Sequence, residues 1–316
     1  MKRNDDFLCF IIHLIMDGKY APCFQDGSLY HYTSPTALQK ILFSYEENFK
    51  LYASRYDCVN DTSEGKYVIE VYQNVVSRLY QAHMITTEQY ASIRGIMPSN
   101  KEFIQYSEPD GTITVREQLC NKYICCFSTD GDSLAMWNYY SKNLKYQGYN
   151  IELLGLNAIE SLHDYQFGVV VNWYEVQYDH ETQTKLIQDF LLEVLQYYTN
   201  ERVRAIQSLI ESQLGKWGMC FKHPCFSHEK EVRAVVSIPV DTECPQLPIE
   251  YRQQNMFIIP FVQLCFSKTC VASVMLSPMY CTEGEKKQQV EILSERLHKS
   301  KYDYCKVKAS QVPIRY

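Results

Sequence analysis

The feature that most constrains this fold is a run of charges inside a segment that otherwise reads as a buried strand. Residues 226–239 have the sequence FSHEKEVRAVVSIP. With the two-residue period of a β-strand, one face carries mainly core side chains: Lys230, Val232, Ala234, Val236 and Ile238. The opposite face carries Glu229, Glu231, Arg233, Val235 and Ser237. Two carboxylates two positions apart on a strand lie about 6.8 Å apart along it, so Glu229 and Glu231 can contact one ligand.

Two interpretations of this polar face stay open. In the first it belongs to a ligand site, because Arg233 keeps a neighbouring carboxylate ionised and oriented by lowering its pKa. In the second it is the solvated outer face of an edge strand, since ladders of Glu and Arg also occur on structural surfaces. An exposed Glu231 predicts that Glu231→Gln changes the free energy of unfolding by less than about 1 kcal/mol.

Composition excludes several classes of protein. The 316 residues are 46% hydrophobic and 22% charged, as in ordinary globular proteins, and 26 tyrosines supply rings for half-buried surfaces and clefts. A net charge of −6 gives no wide basic field, so we expect no strong nucleic-acid binding. The 13 cysteines are odd in number and often lie in apolar segments, which predicts a reducing compartment and a cytoplasmic protein.

The N-terminal residues 1–27 predict a short amphipathic helix and a linker. The apolar run there is only about ten residues long, acidic residues precede it and no small-residue cleavage site follows, so it does not read as a signal peptide. No other run approaches the roughly twenty apolar residues needed to span a bilayer. We therefore expect a soluble chain with no membrane partner.

Residues 28–316 predict a single α+β domain. Strands and helices are mixed without strict alternation, which favours α+β with mainly antiparallel strands over a doubly wound sheet. From 184 to about 216, apolar residues return every three or four positions with a break near Thr199, which predicts an insertion of two helices. Residues 97–118 are polar with turn signals and predict a loop or a small insertion, and Pro260 predicts an edge or bulge position for its strand.

Metal binding is the most specific alternative function for the segment that leads into the polar strand. Four residues with the side chains of zinc ligands precede the strand: Cys220, His223, Cys225 and His228. Their spacing matches no standard finger, and the segments between them are very short, so we expect no metal. No Walker A, GxGxxG or GxSxG motif is present, which disfavours P-loop, Rossmann and serine hydrolase sites.

Ordered sequence blocks give the chain a family resemblance. The blocks are LYHYTSPTALQKIL, NDTSE, CCFS with LAMWNYY and QGYNIEL, HEKEVRAV and VKASQVPIRY. In this order they resemble the bacterial domain of unknown function 2971 family from Leu29 to the C-terminus. The chain departs from the family pattern at Thr62, where a proline commonly follows the Asn-Asp pair, and in the helical insertion. We interpret Asn60, Asp61 and Glu64 as turn and cap residues.

A second resemblance concerns the order of polar and aromatic residues. A histidine on an early strand, rings in the middle and a glutamate pair on a late strand resemble ADP-ribosyltransferases, whose split pair of sheets surrounds an NAD cleft. The resemblance implies that His31 holds the nicotinamide riboside end, that Tyr32 or Trp137 stacks on nicotinamide, and that Glu231 is catalytic with Glu229 beside it. Tyr140 and Arg233 complete the expected cleft. NAD is then a co-substrate for ADP-ribosyl transfer or NAD glycohydrolysis, with an unidentified acceptor.

Two other functions stay open at this stage. The cleft is alternatively a non-catalytic module that recognises a nucleotide, a dinucleotide or a protein, or the site of a metal-independent hydrolase that uses the same carboxylates. His31 also has a structural interpretation, as a strand-end histidine hydrogen-bonded into a polar pocket. If the chain is an enzyme, His31 and Glu231 must line one pocket although two hundred residues separate them.

Overall fold

The computed structural model describes residues 7, 10–14, 18–44, 47–58, 64–107, 111, 113–141, 147–162, 165, 168–254, 256–278 and 282–313. The strands are β1 (Ser28–Thr33), β2 (Asn48–Arg55), β3 (Lys101–Ser107), β4 (Ile113–Ser128), β5 (Tyr149–Leu154), β6 (Val170–Glu175), β7 (Glu231–Pro239), β8 (Glu250–Gln254), β9 (Phe257–Ser267), β10 (Val271–Leu276) and β11 (Lys306–Ala309). The helices are α1 (Pro35–Phe43), α2 (Glu64–Gln81), α3 (Thr87–Ile93), α4 (Leu134–Ser141), α5 (Gly155–Ser161), α6 (His180–Leu195), α7 (Val203–Cys220) and α8 (Glu283–Lys299). Mixed strands and helices confirm the α+β prediction.

The long strand β4 is the point where the sheet divides. Its second half pairs antiparallel with β7 along one edge, from Cys120 to Ser128. On the opposite edge β2 pairs at Ile124, and β1 pairs further along at Ser128. From there β1 continues into β5, β10 and β11, whereas β2 continues into β9 and β8. Pairing is antiparallel except between β10 and β11, so the described strands form a mixed, mainly antiparallel sheet whose two branches diverge beside β4.

The strand β7 has the predicted two-residue period, but its charged face is not exposed to solvent. Val232, Ala234, Val236 and Ile238 pack in one apolar core, and Val235 packs in a second core beneath α2, α6 and α7. Because β7 pairs with β4 and with β6, it lies inside the sheet, and all of its residues are buried. The edge-strand interpretation of the Glu231 and Arg233 face is therefore wrong.

The two helices expected between 184 and 216 are α6 and α7, and both extend beyond those bounds. They are part of the core, because the Trp217 indole of α7 is fully buried and donates to the Tyr20 carbonyl at 2.7 Å. Of the two interpretations of 97–118, the loop is wrong, since β3 and the first half of β4 pair as a hairpin there. Polar side chains on the strands hid this hairpin from sequence analysis.

Some predicted features lie on residues that the structure does not describe. Asn60, Asp61 and Thr62 are among these residues, as is most of the expected N-terminal helix, of which residues 10–14 are helical.

Pro260 lies in the end of β9 that pairs only with β8, because the pairing of β9 with β2 stops at Phe261. No helix among the described residues is long and apolar enough to cross a membrane.

Candidate functional site

A cavity of about 570 Å³ opens where β1 and β7 meet the end of β4. It is covered by α4 and by a 3-10 helix, Pro224–Glu229, that leads into β7. Six residues predicted from the sequence line it: His31, Tyr32, Tyr140, Glu229, Glu231 and Arg233. His31 and Glu231 therefore share one cavity, which is the arrangement that the enzyme hypothesis requires. Their roles in binding or catalysis stay predictions.

The predicted aromatic residues divide between the cavity and the layer behind it. The Tyr32 hydroxyl donates to the Asp130 carbonyl at 2.7 Å and accepts from the Ser133 amide at 3.0 Å, which fixes its ring. Trp137 is 1% exposed and is not among the residues that line the cavity. Its ring meets the edge of Tyr32 instead, at 4.8 Å between centroids. Tyr140 is 48% exposed and lines the cavity, so its ring is accessible to a ligand.

The His31 side chain is held in its neutral form. Burial lowers its pKa, and Nδ1 lies 3.4 Å from the backbone carbonyl oxygen of Cys126. A carbonyl oxygen only accepts hydrogen bonds, so the proton belongs on Nδ1 and leaves Nε2 as an acceptor. His31 thus offers the cavity a neutral imidazole with a defined tautomer.

Glu231 is the most constrained carboxylate in the cavity. It is the first residue of β7, and its amide donates to the Tyr178 hydroxyl at 3.0 Å. Its Oε2 lies 2.8 Å from Arg233 Nη2 and 3.4 Å from Lys222 Nζ. Burial by itself raises the pKa of Glu231, but the charges of Arg233 and Lys222 outweigh burial and lower it to about 2. The carboxylate is therefore ionised at every physiological pH.

Glu229 does not occupy the position that strand geometry predicted. It ends the 3-10 helix, and Lys230 after it has a left-handed backbone with φ of 44°. This turn interrupts the two-residue period, so the predicted spacing of two strand carboxylates is wrong. The two carboxylates are instead joined by Lys222, whose Nζ lies 2.6 Å from Glu229 Oε2 as well as contacting Glu231.

Lys222 is the main site residue that sequence analysis missed. It follows the end of α7 and is buried, with Nζ also 5.0 Å from the Phe226 ring centroid. Burial lowers the pKa of Lys222, but the charges of Glu231 and Glu229 raise it by more than burial lowers it. The ammonium therefore stays charged. Its sequence neighbours form no motif, and only the packing of α7 against β7 shows where it points. Cys126 was also missed, and its thiol hydrogen-bonds to Glu231.

Three of the four side chains weighed as zinc ligands hydrogen-bond to three different groups. Cys220 is buried in α7 and its thiol donates to the Lys216 carbonyl. The His223 ring accepts from the Cys225 amide, and His228 Nε2 lies 2.7 Å from the Tyr139 hydroxyl. Within the described residues, no group of three or more His, Cys, Asp or Glu side chains is arranged to hold a metal ion.

Acid is expected to remove the stabilisation that ionised Glu231 provides. Its pKa lies below the ordinary value of 4.5, so this stabilisation is complete above about pH 4.5 and is lost as the pH falls through about 2. A shift of this size corresponds to about 3 kcal/mol. Urea unfolding of the parent chain and of Glu231→Gln should give a difference in stability that is constant above pH 4.5 and shrinks by about 3 kcal/mol toward pH 2. A difference that does not change with pH would contradict this account.

Comparison with known families gives one match. Residues 136–234 match the family described as protein of unknown function (DUF2971). The matched segment begins in α4, ends within β7 and contains Tyr140, Lys222, Glu229, Glu231 and Arg233, so the resemblance seen in the sequence is confirmed over this part of the chain. His31 and Tyr32 lie outside it. No curated protein and no solved structure matches the chain.

Proposed function

We propose that the cavity binds NAD and that the chain catalyses ADP-ribosyl transfer or NAD glycohydrolysis there. The observation that supports this most is the position of Glu231, a buried carboxylate that is ionised at neutral pH on the wall of a cavity shared with His31 and several tyrosines. A cavity of this size falls within the range of about 300–1,000 Å³ that holds small molecules and cofactors.

The chemistry requires a fixed negative charge. When the bond between nicotinamide and the ribose carbon breaks, its electron pair leaves with nicotinamide, and positive charge develops on the ribose carbon and ring oxygen. A preorganised carboxylate beside this centre stabilises the charge, as in glycoside hydrolysis. Water or an acceptor nucleophile then bonds to that carbon and loses its proton to solvent. Glu231 suits the charge-stabilising role and not that of a general acid, because its pKa of about 2 leaves no proton to donate near neutral pH.

The other cavity residues supply orientation in this proposal. Nε2 of neutral His31 accepts a hydrogen bond from a ribose hydroxyl or from the nicotinamide amide. Tyr140 offers an exposed ring face for nicotinamide, and Tyr32 supports it from behind with ring centroids 6.3 Å apart. Arg233 keeps Glu231 in place, because its second terminal nitrogen, Nη1, donates to the Met219 carbonyl at 2.8 Å.

A non-catalytic recognition module is the second candidate, and one observation favours it. Two cations and two carboxylates on the cavity wall pair with one another, so the site is electrostatically balanced without substrate. A hydrolase that uses Glu231 for general acid and base catalysis is less well supported, since such a group works best with a pKa near the operating pH and the pKa of Glu231 is about 2.

Release of nicotinamide separates these candidates. Purified chain incubated with NAD is expected to release nicotinamide at a rate that saturates with NAD concentration, measured by chromatography with and without added protein acceptors. Binding of NAD without release would favour the recognition module. The proposal is overturned if the chain does not bind NAD and does not release nicotinamide from it.

A further inference from the structure

We infer that Lys222 is a phosphate-binding residue and that the Glu229 carboxylate occupies it until the phosphate of a nucleotide enters the cavity and takes its place. The inference rests on the proposed function only in placing a nucleotide in this cavity. It assigns a ligand-binding role to Lys222 and a competing role to Glu229.

The cavity wall holds three ion pairs that differ in how easily they exchange: Lys222–Glu229, Lys222–Glu231 and Arg233–Glu231. Arg233 and Glu231 belong to β7, are 2% and 8% exposed, and contact each other at 2.8 Å. Removing either from its partner would leave a buried charge uncompensated. Glu229 is on the 3-10 helix, and its side chain is 18% exposed. Of the four charged side chains, Glu229 is thus the one whose movement into solvent costs the least free energy.

The backbone beneath Glu229 is fixed, so only the side chain needs to move. The Ser128 hydroxyl donates to the Glu229 carbonyl at 2.7 Å, and the Thr129 amide donates to the Lys230 carbonyl at 2.8 Å. On the surface, Lys230 forms an ion pair with Asp130 at 3.0 Å. Lys222 already lines the cavity, so rotation of the Glu229 side chain lets another anion take the place of this carboxylate on the ammonium without rearranging the fold.

Rotation also changes the charge of the wall. Lys222, Arg233, Glu229 and Glu231 carry formal charges that sum to zero. With the Glu229 carboxylate turned out to solvent, two cations face one carboxylate, and the wall carries a net positive charge. An anion then replaces Glu229 on the Lys222 ammonium, which exchanges one ion pair for another instead of creating a pair at full desolvation cost.

The rest of the cavity selects the kind of anion. Tyr30, Tyr139, Tyr140 and Phe226 line the cavity as well as the charged residues. Rings of this kind bind a planar base or sugar, and a lysine ammonium is a common partner of phosphate. The fitting ligand is therefore a phosphate carried on a ring-bearing group, as in a nucleotide, and not a free inorganic ion.

Binding of ADP to the full chain, measured by calorimetry, tests the exchange. Glu229→Gln is expected to bind ADP about tenfold more tightly than the parent, because the amide no longer competes for the ammonium. Lys222→Met should bind ADP at least about tenfold more weakly, and Glu229→Gln should give no gain in the Lys222→Met background. Adenosine, which lacks phosphate, should bind the parent and Glu229→Gln equally, and pyrophosphate should bind more weakly than ADP.

Lys230→Met is the matched control, because it removes the same charge from a neighbouring exposed residue, and its ADP affinity should stay within about threefold of the parent. If Lys222→Met does not fold, the gain in Glu229→Gln still decides, since misfolding does not tighten binding. The inference is overturned if Glu229→Gln binds ADP no more tightly, if adenosine gains equally, or if neither form binds ADP. ADP exchange without nicotinamide release would refute the proposed activity alone, whereas nicotinamide release without a Glu229→Gln gain would refute this inference alone.

Discussion

Replacing Glu231 with glutamine is expected to slow NAD cleavage by about a hundredfold to a thousandfold. The amide keeps the shape of the side chain and can still accept a hydrogen bond from Arg233, but it has no charge to stabilise the developing cation. Nicotinamide release measured with saturating NAD isolates this step from binding. NAD affinity, measured by calorimetry, should change much less than the rate. An equally active Glu231→Gln would show that another group, with Glu229 the first to test, carries the role.

The same substitution is expected to destabilise the fold. The sequence prediction of less than about 1 kcal/mol assumed an exposed side chain, whereas Glu231 is buried between Arg233 and Lys222. Removing one partner from a buried ion pair costs about 3 to 5 kcal/mol, since the other charge stays buried. Rates must therefore be measured at a temperature where circular dichroism shows the variant to be folded.

Glu102→Gln is the matched control for this loss of stability. Glu102 is as buried as Glu231 and pairs with Lys122 at 2.9 Å, but it does not line the cavity. It should lose a similar free energy of unfolding and keep its rate of nicotinamide release. If both variants lose turnover equally, destabilisation explains the loss and the charge of Glu231 does not.

Local sequence patterns predicted the parts of this protein that depend on neighbouring residues. The alternation in residues 231–239 gave the two faces of β7 because side chains on a strand alternate regardless of what covers them. Apolar spacing gave α6 and α7 for the same reason. Whether the charged face of β7 met solvent depended on α7, which packs on it from an earlier part of the chain, and no local pattern carries that information.

The candidate site was predictable only in part, for three separate reasons. Glu229 was misplaced because a left-handed residue, Lys230, delays the start of β7 to Glu231, and lysine gives no signal for that conformation. Lys222 was missed because it reaches the cavity through tertiary packing. Trp137 was placed in the cleft on its ring chemistry, but the indole is used to hold the loop before α4 through a 2.8 Å hydrogen bond to Asp132.

The second large effect is expected at Gly215, within α7. A side-chain carbon at this position would lie 2.0 Å from the backbone carbonyl oxygen of Ser99, a distance that backbone cannot accommodate without moving. The contact is tight because the Ser99 amide also donates to the Glu211 carbonyl of α7 at 3.0 Å. Alanine in a helix gains roughly 0.5–1 kcal/mol over glycine in propensity, but overpacking against backbone costs about 3 kcal/mol, so the clash dominates.

Gly215→Ala is therefore expected to lower the free energy of unfolding, measured in urea, by about 2 kcal/mol or more. Gly95→Ala is the control, because its new carbon meets no atom within 4 Å, and it should change this free energy by less than about 1 kcal/mol.

The effect should reach the cavity, because the last turn of α7 holds the Met219 carbonyl that accepts from Arg233 and leads to the turn that carries Lys222. A displaced α7 would move Lys222 and Arg233 and weaken their ion pairs with Glu231. NAD binding should therefore fall in Gly215→Ala and not in Gly95→Ala. Unchanged stability in Gly215→Ala would mean that α7 can move away from Ser99, and unchanged NAD binding in a destabilised variant would mean that the end of α7 does not position the site.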